Sequence, residues 1–364
     1  MRIERTRYDA AELRAFVSRA LEAVGVSAGD AGLVGEVLVA SDKRGIESHG
    51  VARLERFYVD RIRDGFIDPR AEESVKRETP TTLAVDANNA LGHPVSVRTM
   101  CRTIEKAKAV GCAVATVAHS NHYGIAGYYA MLALEHDCIG VSSTNAGRLA
   151  VPTGGAEKML GTNPFAYAIP AVGDDAFVLD MATTTVALGK LEIAKRLGKP
   201  LRPGWATDAA GRLTTDPATG IAGALLPLGG FGTDNGGHKG YGLGLLSDIL
   251  CAVLGEGVCA PDMPHSTHIL DPAITSHFFA AIRIDTFCDV ATFKADVSKL
   301  LAQLRTSTPA PGFERVFTAG EPEALRTAEH ARDGIGLDPV VVASLGSIAE
   351  KLGVSPARAR AGPA

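Results

Sequence analysis

The chain has 364 residues, of which 46% are hydrophobic and 21% are charged, and it contains 40 glycines but a single tryptophan. This composition is typical of a globular protein with glycine-rich loops, and the length is enough for two domains. The net charge is -4, and no segment concentrates lysine and arginine among aromatic residues. We therefore expect no nucleic-acid partner.

The first residues and the cysteines indicate a compartment. Residues 1–7 are charged, and no run of about 18 apolar residues follows them, so we expect neither a signal peptide nor a membrane-spanning segment. A cytoplasmic location follows from this expectation. The six cysteines lack CxxC pairs, which favours buried free thiols over disulfides or a zinc site; they are Cys101, Cys112, Cys138, Cys251, Cys259 and Cys288.

The first 65 residues are predicted to be helical. Asp9 and Glu12 have the spacing of a capping box, and apolar residues at helical period follow them as far as Leu21. The same period over 30–42 and 50–63 predicts two more helices, which end at the turn residues of "DGFIDP".

Strand-like and helical segments alternate in the middle of the chain. We predict strands in "TTLAVDANNALGHP", "CAVATVA", "IGVSST", "FAYAIP", "AFVLDMA" and "FFAAIRI", and helices at 94–109, 125–136, 186–197 and 241–254. This alternation favours an α/β fold.

The tail is predicted to form helices at 291–305, 321–332 and 338–352, and we expect part of it to pack on the N-terminal helices. The predicted organisation is therefore a mostly helical domain of residues 1–75 plus about 310–364, and an α/β domain of residues 76–309.

The glycines do not form a known nucleotide fingerprint. No GxGxxG lies between a strand and a helix with an acidic residue about 20 positions later, and the P-loop pattern is also missing. The glycines of "GYGLGLL" at 240–246 alternate and lack this spacing. A nucleotide would therefore bind by a scheme other than that of the Rossmann fold.

The segment "RGIESHGVARL" at 44–54 combines an imidazole with a guanidinium. His49 and Arg53 are four residues apart and would share one face of a helix. Arginine can bind a carboxylate with two parallel hydrogen bonds, while a nearby imidazole exchanges a proton. The alternative is a histidine that caps a helix beside a surface arginine.

The segment "HSNHYGIAGYY" at 119–129 places His122 just after a predicted strand. Ligands gather at the carboxyl ends of strands, and imidazole can take and return a proton near neutral pH. One alternative is a loop histidine that bonds to the backbone. Another is a metal-dependent hydrolase in which His119 and His122 join His49 or an aspartate as metal ligands, which no HExxH motif or clustered carboxylates support.

Two further segments suggest phosphate or anion binding. In "GGHKGYGL" at 236–243, the glycines permit close approach of a ligand and Lys239 supplies a charge for a phosphate; the alternative is a flexible surface loop. In "LDMATTTVALGK", Thr183, Thr184 and Thr185 either cap a helix or stand beside amides that accept an anion.

Eight segments in order resemble the type 2 malate/L-lactate dehydrogenase family, which includes ureidoglycolate and sulfolactate dehydrogenases, a diketogulonate reductase and cyclic imino acid reductases. The resemblance covers most of the chain. It is carried by "RGIESHGVARL", "SNHYGIAGYY", "GTNPFAYAIP", "LDMATTTVALGK", "PGWATDAAGRLTTDP", "LLPLGG", "HKGYGL" and "AGEPEA".

The resemblance implies an oxidoreductase that uses NAD or NADP on a non-Rossmann α/β domain, acts on a small carboxylate substrate and forms a homodimer, with no resident metal. It implies that His49, Arg53 and the adjacent Ser48 face the substrate and that His122 is the acid/base. It also implies cofactor contacts from Asp180, Met181, Ala182, Thr183, Lys239, Gly240, Gly320 and Glu321.

Two departures from the family pattern are visible. Ala146 stands where one relative uses a serine for the cofactor, and the loop "GGFGTDNGGHKG" before Lys239 is longer than is common. A 2'-phosphate on the cofactor would need a basic neighbour, and the candidates near the proposed cofactor turn are Lys190, Lys195 and Arg196.

The leading hypothesis is reversible hydride transfer between a nicotinamide and C2 of a small 2-hydroxy or 2-oxo acid, as in malate or lactate. Arg53 would bind the carboxylate, His122 would exchange the proton and His49 would bond to the oxygen where charge develops. The roles of the two histidines, the choice of cofactor and the physiological direction stay open.

Two other functions remain as alternatives. A reductase of cyclic imino acids, of the Δ1-piperideine-2-carboxylate or Δ1-pyrroline-2-carboxylate type, would use the same arginine on the same carboxylate. A catalytically silent binding protein would use this fold without the chemistry.

Overall fold

The computed structural model describes residues 5–263 and 274–360; the predicted domains extend into residues 1–4, 264–273 and 361–364, which lie outside the described residues. The strands are β1 (Thr6–Tyr8), β2 (Ser74–Glu78), β3 (Thr82–Asp86), β4 (Cys112–Ser120), β5 (Cys138–Thr144), β6 (Phe165–Pro170), β7 (Ala176–Met181), β8 (Ala206–Thr207), β9 (Leu213–Thr214), β10 (Ala224–Leu225), β11 (Thr275–Arg283) and β12 (Ile335–Leu337).

The helices of the described residues alternate with these strands through the middle of the chain. They are α1 (Ala10–Glu22), α2 (Ala28–Lys43), α3 (Asp60–Arg63), α4 (Gly92–Val110), α5 (Ala126–Met131), α6 (Leu188–Arg196), α7 (Pro217–Ala222), α8 (Gly237–Asp248), α9 (Val290–Arg305), α10 (Glu321–Asp333) and α11 (Pro339–Leu352). No helix in this part of the chain is both long and apolar enough to cross a bilayer.

The main sheet is mixed and has seven strands in the order β2-β3-β4-β11-β5-β6-β7. Strands β3 and β4 pair in parallel, and the other neighbouring strands pair antiparallel. The predicted α/β class is therefore correct, and each predicted strand run contains a strand of this sheet.

One edge of this sheet collects the carboxyl ends of four strands. Strands β4 and β5 both pair antiparallel with β11, so they run in the same direction. Strands β5 and β7 both pair antiparallel with β6, so they also run in the same direction. Because β3 is parallel to β4, the chain leaves β3, β4, β5 and β7 at the same edge. Loops at this edge carry the segments that follow Ser120, Thr144 and Met181.

Buried residues form two large clusters. One covers the sheet and includes Met100 of α4, Tyr129 of α5 and Phe279 of β11. The other lies among α1, α2 and the C-terminal α11, with Leu345 and Ile348 buried against the N-terminal helices. Part of the tail thus packs on the N-terminal helices, as the sequence predicts.

The predicted capping box of α1 is wrong. The Asp9 side chain makes no cap hydrogen bond, and the Glu12 carboxylate accepts a hydrogen bond from Arg19 at 3.2 Å instead. The Arg19 guanidinium, two helix turns beyond Glu12, competes for the carboxylate that a capping box requires.

The prediction of one helix over 50–63 is also wrong. Two 3-10 turns, Glu47–His49 and Val51–Arg53, precede a π-helical turn at Leu54–Val59, and only Asp60–Arg63 is α-helical. Gly50 is extended, with φ -88° and ψ -153°, so it breaks the helix. Apolar period does not distinguish a wide turn from an α-helical one.

The cysteine prediction holds in part. Cys138 and Cys251 are buried free thiols, and Cys259 is half-buried. Cys101, Cys112 and Cys288 are exposed, so for these three the expectation of burial is wrong.

Candidate active site

His122 lies where the chain leaves β4 at the sheet edge. The Asn121 amide donates hydrogen bonds to the carbonyl oxygens of Asn89 at 3.2 Å and Ala90 at 2.9 Å. Gly92, at the start of α4, packs so closely on this segment that a Cβ there would lie 2.1 Å from the Asn121 carbonyl oxygen. The backbone on either side of His122 is therefore tightly held.

The His122 ring contacts three side chains from residues 49–58. The Tyr58 hydroxyl lies 2.6 Å from Nδ1, the His49 ring stacks at 5.5 Å between centroids, and the Phe57 ring lies at 5.3 Å. Burial, and then the positive potential of His49 when protonated, hold the pKa of His122 well below its usual value. The imidazole is thus neutral at pH 7.

His49 lies in the SHG turn, residues 47–53, which is named for Ser48, His49 and Gly50 and is built on a buried carboxyl group. Asp42 is 2% exposed, and one of its oxygens accepts the Val51 N–H at 2.8 Å. A Cβ at Gly50 would lie 1.9 Å from the other Asp42 oxygen, so only glycine fits there. Burial raises the pKa of Asp42 to about 8.

Within this turn, Ser48 holds the side chains of both His49 and Arg53. Its hydroxyl lies 2.9 Å from Nδ1 of His49, and its carbonyl oxygen accepts a hydrogen bond from Nε of Arg53. The Arg53 guanidinium lies over the Phe57 ring, 4.6 Å from its centroid. Burial, followed by the nearby guanidinium, lowers the pKa of His49 to about 4, so this imidazole is also neutral at pH 7.

The structure thus brings Ser48, His49, Arg53 and His122 together, although they come from two distant segments. Sequence reasoning missed the aromatic residues among them. Phe57 and Tyr58 lie two residues beyond the segment "RGIESHGVARL", but the expectation of a regular helix gave no reason to turn both rings toward His122.

A second missed residue is His93, in the first turn of α4. It is fully buried, and neither ring nitrogen has a hydrogen-bond partner within residues 5–263 and 274–360. Its ring meets Tyr58 edge-on, 4.9 Å between centroids. Burial lowers the pKa of His93 to about 3, so it adds a neutral polar wall to the site.

Asp180 lies at the end of β7 and joins the proposed cofactor segment to the His122 loop. Its carboxylate accepts the Gly127 N–H of α5 at 2.7 Å. Burial raises the pKa of Asp180 to about 6, and the Arg44 guanidinium partly offsets this. Met181 and Ala182 follow, both half-buried, and the Thr183 hydroxyl donates to the Thr162 carbonyl at 3.1 Å.

Lys239 and Gly240 lie in the first turn of α8. The Lys239 side chain is exposed. Gly240 is buried so closely against the loop that precedes α8 that a Cβ would lie 2.4 Å from the Leu228 nitrogen. Helix α8 in turn contacts the cofactor segment, since a Cβ at Gly244 would lie 3.0 Å from the Thr183 hydroxyl.

Gly320 has φ +88° and precedes α10, and the Ala319 carbonyl accepts the Val178 N–H of β7 at 3.1 Å. The Glu321 carboxylate pairs with Arg305 at 3.0 Å and with Arg315. Glu321 therefore already has two cationic partners. The segments that the sequence predicts to bind a cofactor lie around β7 and α8, beside the loop of His122.

Several other candidates lie apart from these clusters. His119 pairs with Asp86 at 2.9 Å. Lys190, Lys195 and Arg196 are exposed on α6. In the part of the chain that the structure describes, no three histidine, cysteine or acidic side chains are grouped to hold a metal ion.

The chain is similar to known dehydrogenases over nearly its whole length. A family model described as malate/L-lactate dehydrogenase matches residues 8–346. A malate dehydrogenase from Pyrococcus horikoshii is 42% identical over 343 residues, which cover 94% of each chain. An L-sulfolactate dehydrogenase from Methanocaldococcus jannaschii is 36% identical over 335 residues, covering 92% of this chain and 94% of that protein.

A solved structure extends the likeness to a reductase. The Δ1-piperideine-2-carboxylate reductase of Pseudomonas syringae pvar. tomato matches with a TM-score of 0.82 and 26% identity, covering 94% of this chain and 99% of that one. With the family model matching most of the chain, the protein belongs to the malate/L-lactate dehydrogenase family and is an oxidoreductase of the dehydrogenase type.

Proposed function

We propose that the protein transfers a hydride between a nicotinamide cofactor and C2 of a small 2-hydroxy or 2-oxo acid of the malate or lactate type. The observation that carries the proposal is the close grouping of one guanidinium with two neutral imidazoles. Arg53 stacks on Phe57, whose ring lies 5.3 Å from His122, and His49 stacks on His122 at 5.5 Å.

Each of these side chains has a distinct role. Arg53 binds the substrate carboxylate, since its guanidinium is held by Phe57 and by the Ser48 carbonyl. Neutral His122 accepts the hydroxyl proton during oxidation and returns it during reduction. His49, with Nδ1 bonded to Ser48, offers Nε2 to the substrate oxygen where charge develops.

The polar groups around β7 and α8 support the binding of a nicotinamide dinucleotide. The Asp180 carboxylate suits a ribose hydroxyl, and Lys239, exposed in the first turn of the 12-residue helix α8, suits a phosphate. Met181, Ala182, Thr183, Gly240 and Gly320 supply backbone close to these groups. When bound, the cofactor gives or takes the hydride; whether it is NAD or NADP is part of the test below.

We also propose that this cofactor binds outside a Rossmann fold and that the chain divides into domains 1–75 plus 310–364 and 76–309. The mixed sheet, with β3 and β4 as its parallel pair, supports the first proposal, and the two separate buried clusters support the second. The active site would lie between the domains, because His49 belongs to one and His122 to the other.

We propose that the protein is a homodimer. Helix α8, the π-helical turn Ile249–Val253 that continues it and the residue after that turn expose six large aliphatic side chains. Exposed apolar patches of this kind mark protein interfaces. They are Leu243, Leu245, Leu246, Ile249, Val253 and Leu254, which are 39–59% exposed. A cytoplasmic location stays a prediction.

The reaction is tested by nicotinamide absorbance. Purified protein is mixed with NADH or NADPH and a panel of 2-oxo acids and cyclic imino acids. We expect oxidation of one cofactor that depends on a 2-oxo acid. Silence with every substrate, together with no cofactor binding by fluorescence, would contradict the proposal.

The same panel tests a second candidate, the reduction of cyclic imino acids. The likeness to a piperideine-carboxylate reductase favours it, and Arg53 with a neutral His122 serves a C=N bond as well as a C=O bond. Turnover of cyclic imines with silence for 2-oxo acids would assign this reaction.

The roles of the two histidines are tested by His122→Ala and His49→Ala. We expect the first to lose roughly 100-fold or more of kcat because it removes the acid/base, and the second to lose less, with cofactor binding intact in both. If only His49→Ala loses most of kcat, the two roles are reversed.

A further inference from the structure

Tyr58 makes the shortest polar contact to His122. Its hydroxyl lies 2.6 Å from Nδ1, and the Gly124 N–H lies 3.4 Å from the same nitrogen. The Tyr58 hydroxyl and the Gly124 N–H both contact Nδ1, so Nε2 is the ring nitrogen available to a substrate. The phenol is fully buried, and burial raises the pKa of Tyr58, so its hydroxyl keeps its proton.

The backbone is shaped to permit this contact. Residues Leu54–Val59 form a π-helical turn, and its consecutive rings, Phe57 and Tyr58, both reach His122, with centroids 5.3 and 6.1 Å away. Widened turns of this kind are frequent at functional sites. The Tyr58 ring is also held by His93, whose ring meets it edge-on at 4.9 Å between centroids.

We propose that Tyr58 is a positioning residue for His122: it holds Nδ1, makes Nε2 the atom that exchanges the proton, and accepts the Nδ1–H bond of the imidazolium formed during oxidation. The proposal rests on the proposed function. A hydroxyl suits this position because its oxygen can accept the Nδ1–H bond, whereas the Gly124 N–H on the same nitrogen can only donate.

The step balances without a proton on or off Tyr58. In oxidation the substrate O–H bond breaks and its proton goes to Nε2, while the C2–H bond breaks and its electron pair leaves with the hydride to the nicotinamide. In the neutral tautomer that takes the proton at Nε2, Nδ1 carries the hydrogen and donates it to the Tyr58 oxygen, and it no longer accepts the Gly124 N–H. This bond strengthens as the ring becomes charged. Reduction reverses each of these changes.

The groups that face His122 set its protonation together with Tyr58. They are His49 and Arg53 of the SHG turn, His93 of α4 and His277 of β11, and each disfavours the imidazolium when it is charged. Against these, the Tyr58 oxygen is the neighbour able to accept a hydrogen bond from the charged ring.

Tyr58→Phe tests the proposal because it keeps the ring and removes the hydroxyl. We expect kcat to fall roughly 10- to 100-fold in both directions, as for the loss of one hydrogen bond to a charged group. The pH limb of the reduction, which requires protonated His122, should move to lower pH. Substrate KM and cofactor Kd should change less than about twofold. A general structural defect would instead change KM and Kd together with kcat.

Tyr128→Phe is the matched control, since Tyr128 is also buried and its hydroxyl donates to Glu36 at 2.7 Å, apart from His122. We expect its pH profile to match that of the wild type. Unchanged kcat and pH limbs in Tyr58→Phe, or the same changes in Tyr128→Phe, would overturn the proposal.

A spectroscopic readout separates this proposal from the proposed function. The ¹⁵N signal of His122 Nδ1, assigned with His122→Gln, is followed against pH in the wild type and in Tyr58→Phe without substrate. A shift of that signal on loss of the hydroxyl supports the contact even if no substrate is turned over. An unchanged signal overturns the proposal even in an active enzyme.

Discussion

At the scale of single residues, the site depends on Asp42, a buried carboxyl that binds no substrate group in the proposed mechanism. Its folded pKa of about 8 lies above the usual 3.8. The folded state therefore binds a proton more tightly than the unfolded state, and stability should fall as pH rises from about 4 to 8. The stabilisation that protonated Asp42 gives to the folded state is fully present below about pH 4.

We predict that Asp42→Asn removes much of the stability loss that the wild type shows as pH rises from about 4 to 8. The amide oxygen can still accept the Val51 N–H, but it cannot ionise. The variant should melt at a higher temperature than the wild type at pH 8, and the difference should shrink toward pH 5. Thermal unfolding at both pH values measures this; Asp64→Asn, at an exposed position, is the control, and an equal difference at both pH values would refute the linkage.

A second prediction concerns the guanidinium. Arg53→Lys keeps the charge but loses the planar fork and the stacking on Phe57. We expect the KM of the carboxylate substrate to rise roughly 10- to 100-fold, since a bidentate, charge-assisted pair is replaced by a point charge. Cofactor Kd, followed by nicotinamide fluorescence, should not change. An unchanged KM would show that another group binds the carboxylate.

The candidate catalytic and substrate-binding residues could be predicted from the sequence, but the residues that position them could not. His49, Arg53 and His122 stand out because their types suit proton exchange and carboxylate binding. Asp42 and Tyr58 act through contacts between segments distant along the chain, and no local spacing encodes that a carboxylate at 42 will lie under Gly50.

At the scale of elements, helix α2 offers two glycines with opposite expected effects. A Cβ at Gly32 would meet nothing within 4 Å, whereas one at Gly35 would lie 3.0 Å from the Arg14 carbonyl of α1. We predict that Gly32→Ala stabilises the protein by about 0.5–1 kcal/mol through helix propensity. Gly35→Ala should cost about 1 kcal/mol or more, because it forces α1 and α2 apart.

Denaturant unfolding of the two variants measures the difference, and each serves as the other's control, since both make the same change in one helix. Equal stabilisation of both variants would show that α1 moves aside without cost.

Apolar runs predicted where strands lie but not how they pair. The run "FFAAIRI" contains no sign that β11 inserts between β4 and β5 with antiparallel pairing on both sides. The π-helical turn at Leu54–Val59 was missed for a related reason, since a shift of one hydrogen-bond register leaves the apolar pattern almost unchanged.

At the scale of the whole molecule, sheet direction explains why distant motifs meet. Since β4, β5 and β7 run the same way, His122 and Asp180 leave the sheet at one edge, and Gly127 joins them through its N–H. The SHG turn reaches this edge from the helical part by the stacking of His49 on His122. The direction of the strands therefore brings residues that are distant in the sequence to the same edge of the sheet.

The proposed homodimer is tested on the apolar face of α8. Leu246→Glu places a charge at the centre of this face, and burying an unpaired carboxylate there costs more than a dimer of ordinary size can offset. We expect a dimer for the wild type and a monomer for the variant by light scattering after gel filtration. Leu304→Glu, at a 49% exposed position on α9, should leave the dimer intact. Dissociation by Leu304→Glu alone would move the interface to α9.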